Sequence, residues 1–319
     1  MTPPAPLTRR TLFSLAGVAG IGLAVAACSS GDGADGGKGS AKDAGATDTA
    51  TGGSTSTSTS TPKAGATADT PSTKKIEPAT VPLAGGTTVT ISGTGLAAVT
   101  AVTVGGVAAT DVQASDATVA FTLPHQATYT PGDADVALVG SGGDTLTTSK
   151  LAYAVQTDVD RQLQYAMQYV KDYNLAGYGD MNPIGGDCAN FVSQTLIARG
   201  WQQRSDWYSR NAGAQHSTTW TYCPSMDPWL IANAATFGLT RRTLEDRDKV
   251  KIGDIVMWDW NHNGSPDHVT IVSEVTKDAS GKVLIRSASH NEDGPYRDLD
   301  EMITVQHPGG TAWFHTFDA

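Results

Sequence analysis

A thiol and an imidazole are the side chains that most readily supply a nucleophile and a base near neutral pH, and this chain places one of each where they can meet. Gly185-Gly186-Asp187-Cys188-Ala189-Asn190-Phe191-Val192-Ser193-Gln194-Thr195-Leu196 reads as a glycine turn running into a helix with Cys188 on its first turn. Apolar or small residues at Cys188, Phe191, Val192, Thr195 and Leu196 predict one buried face, and Gly200 a C-terminal stop. At a helix N-terminus the macrodipole and the unpaired N–H groups favour thiolate over thiol. The same place also suits a small core cysteine, or half of a disulfide with Cys223.

Three strands follow. Gly253-Asp254-Ile255-Val256-Met257-Trp258 reads as one, and His268-Val269-Thr270-Ile271-Val272-Ser273-Glu274-Val275 as the next, with His268 at its start. Lys282–Ser289 is the third and ends at His290-Asn291. A helix-borne Cys188, a strand-borne His268 and a polar residue beyond the next strand stand in the chain order of nucleophile, base and orienter. Both His290 and Asn291 can orient an imidazole, so the third position stays open between them. Asn182, six residues before Cys188, offers an amide donor for an oxyanion beside the Cys188 N–H, or else a turn in which its side chain bonds its own backbone. Asp187 is explained as a helix cap, and its carboxylate would oppose a thiolate unless it points away.

Asp259, Asn261, Asn263 and Asp267 put oxygen-bearing side chains at alternate positions around Gly264, like the first half of a calcium loop. Thr270 stands where such a loop needs a bidentate Glu, so a polar hairpin loop stiffened by Asx turns competes with a calcium site beside His268. No other cofactor is expected, and the histidines lack zinc spacing.

The segment Asp187-Cys188-Ala189-Asn190-Phe191-Val192-Ser193-Gln194 resembles the signature of the bacterial "Putative amidase domain" family, related to papain-like cell-wall cysteine peptidases. Gly253-Asp254-Ile255 and Asp259-Trp260 … Asp267-His268 resemble the same family, and the likeness spans about residues 158 to 319. It implies a papain-like Cys-His hydrolase of amide bonds, with Cys188 as nucleophile and His268 as base.

The elements around this site divide the chain. Met1–Ala27 reads as a targeting segment, with Arg9-Arg10 resembling a twin-arginine signal and an apolar run to Ala27 that is short for a membrane span. Val25-Ala26-Ala27-Cys28 resembles a bacterial lipobox, which implies cleavage before Cys28, acylation of its thiol and an anchor on the outer face of the membrane. Residues 28–75 read as a disordered linker: from Ser29 to Lys75 there is no Val, Ile, Leu, Met, Phe, Trp, Tyr or Cys to bury. Residues 76–155 carry short alternating strands between glycine turns, which predicts a small all-β sandwich. Its Gly-Thr-x-Val-Thr-Ile-x-Gly-x-Gly-Leu pattern followed by Val-Gly-Gly resembles the immunoglobulin-like IPT/TIG fold, with a spacer or binding role. Residues 156–319 hold all seven tryptophans and put helices before antiparallel strands, an α+β domain. Asp227-Pro228 is expected to open one of its helices, and Trp201–Trp220 to pack or to line a groove.

The formal net charge of −10, from 22 basic and 32 acidic residues, argues against nucleic acid as partner. The expected protein is a lipid-anchored, extracytoplasmic thiol amidase or peptidase, monomeric and acting on peptide or peptidoglycan. A non-catalytic surface-binding protein with a structural Cys188 is the alternative.

Overall fold

The computed structural model describes residues 70–318. The expected targeting segment, Cys28 and most of the linker lie outside them. Alternating β-branched residues between glycine turns give nine strands in the first domain: β1 (Ser72–Glu77), β2 (Thr80–Pro82), β3 (Thr88–Thr94), β4 (Val99–Val104), β5 (Val107–Ala108), β6 (Thr110–Ala114), β7 (Thr118–Thr122), β8 (Gly132–Gly140) and β9 (Thr145–Ala154). They form two sheets, ordered β1-β3-β7-β6 and β2-β9-β8-β4-β5. Val89, Ile91, Val119 and Phe121 of the first and Val102, Val104, Val136 and Leu138 of the second fill one core.

The sandwich begins earlier than its composition shows. Ser72–Lys75, assigned above to the linker, already belongs to β1 and pairs with β3. These polar residues are held by backbone bonds, and exposed Lys74 and Lys75 suit an edge strand that must not recruit another.

The second domain opens with α1 (Asp158–Tyr169), α2 (Leu175–Tyr178) and α3 (Cys188–Arg199). Thr157 and Asp160 cap α1 reciprocally, and Gly200, at φ 117°, ends α3. The tryptophan-rich stretch contains β10 (Ser209–Arg210), β11 (Gln215–His216), α4 (Thr218–Thr221), α5 (Cys223–Ala232) and α6 (Ala234–Phe237). Then come β12 (Leu239–Thr243), β13 (Ile255–Asp259), β14 (His268–Lys277), β15 (Val283–Ser289), β16 (Gly294–Asp298), the short α7 (Leu299–Glu301) and β17 (Thr311–Phe317). The strands from β12 onward make one antiparallel sheet, ordered β12-β17-β13-β14-β15-β16. The domain is thus a mixture of helices and strands around this sheet, with α3 packed against α1, β14 and β15.

One local expectation changes, and one of two readings is settled. Helix α5 starts at Cys223, not at Asp227, because Pro224 fills the first turn, where a missing N–H is harmless. Asp227 is instead buried inside the domain, accepting from Trp313 Nε1 (2.8 Å) and His315 Nε2 (2.7 Å). Trp207 and Trp220 are fully buried and Trp229 nearly so, so this stretch packs.

The two domains fall within one compact unit. Buried Asp160 joins them: its carboxylate accepts from Ala84 N of the sandwich (2.7 Å) and from Gln156 N and Thr157 N of the junction (2.8 Å each). Tyr129 O–H donates to Ser273 O (2.5 Å) and Tyr296 O–H to Ala127 O (2.6 Å). His125, stacked on Tyr129, faces Glu274 at 3.7 Å.

Replacing Asp160 by Ala leaves three junction N–H groups without an acceptor. The expected loss is about 1–3 kcal/mol of stability, read as a lower thermal midpoint; an unchanged midpoint would show that the junction does not depend on this carboxylate.

Candidate active site

Helix α3 is buried on every side from Cys188 to Leu196, whereas its sequence shows only one apolar face. Its polar residues are satisfied internally, as burial requires. Asn190 Oδ1 accepts from Trp220 Nε1 (2.8 Å), Ser193 Oγ accepts from Trp207 Nε1 (3.2 Å) and donates to Trp220 O (3.0 Å), and Gln194 Oε1 accepts from Tyr165 O–H (2.7 Å).

Cys188 and Cys223 are both free thiols, so the disulfide expected as one alternative is not formed. Cys223, on the first turn of α5, lies against Cys188. Its thiol can donate to Pro266 O, 3.2 Å away, or to the Cys188 sulfur, and one proton serves one acceptor at a time. Donation from Cys223 is the main influence holding the Cys188 thiol well below its ordinary range. Burial opposes it; the His268 imidazole and the Val269 N–H, both facing the sulfur, favour the thiolate again. Cys223 itself is pushed far above the ordinary thiol range, first by the hydrogen bond to Cys188 and then by burial. Of the two sulfurs, Cys188 is the more acidic.

His268 starts β14, paired with Trp258 on β13, and is 5 % exposed. Its ring stacks on Trp260 at 5.8 Å, and its Nε2 is buried without a hydrogen-bond partner. His268 and Cys188 are neighbours, and among the described residues no hydrogen bond of good geometry yet joins them.

Neither residue proposed to orient His268 does so. His290 has both ring nitrogens engaged elsewhere, Nδ1 with Asp187 Oδ2 (2.6 Å) and Nε2 with Tyr169 O (2.8 Å). Asn291 has both ends of its amide engaged as well. Its Oδ1 accepts from Asp187 N (2.5 Å) and Cys188 N (3.0 Å), and its Nδ2 donates to Asn182 Oδ1. Asn182 and Asn291 therefore meet at the start of α3, beside Cys188, with Asn182 exposed. Asp187 is not a side-chain cap. Its Oδ1 turns back to accept from Met181 N (3.1 Å) and Asn190 Nδ2 (2.9 Å). Sequence reasoning missed Cys223 as a donor and the Asp187–His290 contact; the one available signal was a carboxylate next to a thiolate that needed its charge cancelled.

The oxygens of the Asp259–Asp267 loop are turned to its own backbone. Asp259 accepts from Asn263 N (3.0 Å) and Gly264 N (2.7 Å), Asp267 from Trp260 N (2.9 Å), and Asn263 from Ser265 N (2.8 Å). Asn261 Nδ2 donates to Asp267 Oδ1 at 3.4 Å. These are the Asx turns of a polar hairpin loop. Among the described residues no three His, Cys, Asp or Glu side chains gather as metal ligands.

A free, buried sulfur at a helix start, an adjacent imidazole and paired amides thus gather at one place in the second domain. Residues 156–314 match the family described as "Putative amidase domain", and residues 71–155 match the IPT/TIG domain. Residues 156–314 are thus a domain of the "Putative amidase domain" family, with an IPT/TIG domain in front. It is similar to the uncharacterized protein YhbB of Bacillus subtilis, 26% identical over 171 residues, which is 52% of this chain and 52% of that protein. The chain thus spans about half the length of that curated relative. Among solved structures, an auxiliary nutrient binding protein from Bacteroides thetaiotaomicron is 16% identical with a TM-score of 0.21, covering 26% of this chain and 20% of that one. The extracellular region of plexin A4 is 12% identical with a TM-score of 0.23, covering 72% and 14%. Scores this low carry no weight for fold or function.

Removing the Cys223 donor by Cys223→Ala is expected to move the alkylation midpoint of Cys188 up by about one pH unit or more, since a hydrogen bond to a charged group is worth about 1.5–3 kcal/mol. The pH dependence of labelling of the Cys188 peptide, read by mass spectrometry, checks it. An unmoved midpoint would remove Cys223 from the site.

Proposed function

We propose that this chain is an extracytoplasmic thiol amidase or peptidase with a papain-like catalytic core, held to the outer face of the cell membrane by a lipid on Cys28 and acting on amide bonds of cell-wall peptides. The observation that carries this reading is the free Cys188 sulfur at the start of α3, with donors and an imidazole gathered around it, in a domain of an amidase family. The wall-peptide substrate and the anchor are supported by the sequence resemblances alone. All the groups the chemistry needs come from one chain, so a monomer suffices.

In this mechanism His268 takes the Cys188 proton, and the sulfur anion attacks the amide carbonyl carbon. The carbonyl electrons move onto oxygen. When the tetrahedral centre collapses, the C–N bond breaks and His268 gives its proton to the departing amine. A thioester on Cys188 remains. Water then loses a proton to His268 and adds to the thioester carbon; the C–S bond breaks, releasing the acid and returning the sulfur.

The oxyanion needs donors, and in this reading they are the Cys188 N–H and the amide of Asn182, which Asn291 holds at the start of α3. Asn291 Oδ1 accepts from that same N–H. It must leave when substrate enters, because a carbonyl oxygen and an oxyanion compete for one proton.

Purified peptidoglycan treated with wild type, Cys188→Ala and His268→Ala provides the test, with newly freed amines as the readout. Cys188→Ala is expected to lose at least about a thousand-fold and His268→Ala about a hundred-fold or more, both with unchanged thermal midpoints. Equal release by wild type and Cys188→Ala would remove the hydrolase and leave a surface-binding protein with a structural thiol.

A further inference from the structure

His290 is fully buried and Asp187 is 1 % exposed. The ring lies between Tyr173, stacked at 3.6 Å, and Phe191 at 4.0 Å. Its Nε2 faces Tyr169 O, and a carbonyl only accepts, so Nε2 carries a proton. Its Nδ1 lies 2.6 Å from Asp187 Oδ2, a separation that requires a second proton between the two atoms. Whether that proton rests on nitrogen or on oxygen, the Asp187–His290 pair as a whole is neutral.

We infer that His290 is a positioning residue for Cys188: it cancels the charge of the carboxylate one residue before the sulfur, and it places Asn291 on the N–H groups that open α3. This rests on the proposed role of Cys188 as nucleophile. Asp187 precedes the sulfur directly, and a bare buried carboxylate there would oppose the thiolate as a like charge. Through the chain, His290 also fixes its neighbour. Asn291 adopts φ 68°, which asparagine tolerates, and its N–H donates to Asp293 Oδ1 (2.8 Å) and Tyr173 Oη (3.2 Å). Tyr173 therefore clamps both residues, stacking on one and bonding the other, while its O–H reaches Asp293 Oδ1 (2.8 Å).

The groups facing the sulfur are Cys223 of α5 and His268 and Val269 N–H of β14. Those facing the His290 ring are Asp187, Phe191, Tyr173 and the Tyr169 carbonyl; Tyr165 and Asp267 are the other titratable groups that sense Asp187 and the thiol pair. None of the other groups is altered in the variants that test the inference.

The measurement is the pH dependence of iodoacetamide alkylation at the Cys188 peptide, followed by mass spectrometry in the whole chain. His290→Gln uncovers the Asp187 charge and is expected to raise the midpoint by about one pH unit or more. Adding Asp187→Asn to it removes the charge and should return the midpoint toward wild type, whereas two merely structural losses would add. Asp187→Asn alone should not raise the midpoint, and this holds the inference to account if His290→Gln fails to fold. A His290→Gln midpoint equal to wild type, a double variant shifted further than His290→Gln, or a raised midpoint in Asp187→Asn would each overturn the inference while leaving a reactive Cys188 and the hydrolase in place. A Cys188 that resists alkylation in the wild type would sink the hydrolase and this inference together.

Discussion

A sulfur anion taken out of water persists only where donors replace the water it has lost. Cys188 is 9 % exposed, and each compensating group reaches it from a different part of the fold. Helix α3 supplies its own N-terminal field, α5 brings the Cys223 thiol, and β14 brings His268 and the Val269 N–H. No two of these are adjacent in sequence except His268 and Val269. Their convergence is what the second domain achieves by packing a buried helix against an antiparallel sheet.

That packing has its own requirement. A helix buried on all sides must satisfy polar residues wherever they fall, and α3 carries Asn190, Ser193 and Gln194 into the interior. The indole N–H groups of Trp220 and Trp207 meet the first two. These tryptophans are therefore bulky apolar fillers with one donor each, suited to a polar helix in a dry place. The junction with the sandwich works on the same terms: Asp160 is a buried carboxylate surrounded by backbone N–H groups, and it links Ala84 to the start of α1.

The elements that carry Cys188 and His268 were legible because their signals are local. Glycine turns, alternation and a period near three and a half mark α3, β13, β14 and β15 to within a residue or two. The polar start of β1 was not legible, since backbone pairing leaves no mark on composition. The partners of His290 and Asn291 were also hidden. Both are residues that can orient an imidazole, and nothing in the sequence says that Asp187, Tyr169 and the start of α3 will reach them first. Cys223 was legible only as a disulfide partner of Cys188; that it stays a free thiol and donates to that sulfur depends on the fold.

Asn291 shows how a helix start can be capped from a distant part of the chain. Asp187 turns its carboxylate back toward Met181, Asn190 and His290, so α3 lacks a cap from its own leading residue. Asn291 takes that place from a hundred residues away, accepting from the Asp187 and Cys188 N–H groups. If the Cys188 N–H is also the oxyanion donor, substrate does not meet an empty hole that must be desolvated. It exchanges one oxygen acceptor for another of greater charge, and charged acceptors bind N–H groups more strongly than neutral ones. The exchange is then weakly opposed in the ground state, where a neutral amide competes with Asn291 on equal terms. It is favoured once the carbonyl oxygen carries charge, so discrimination falls on the transition state rather than on the bound substrate.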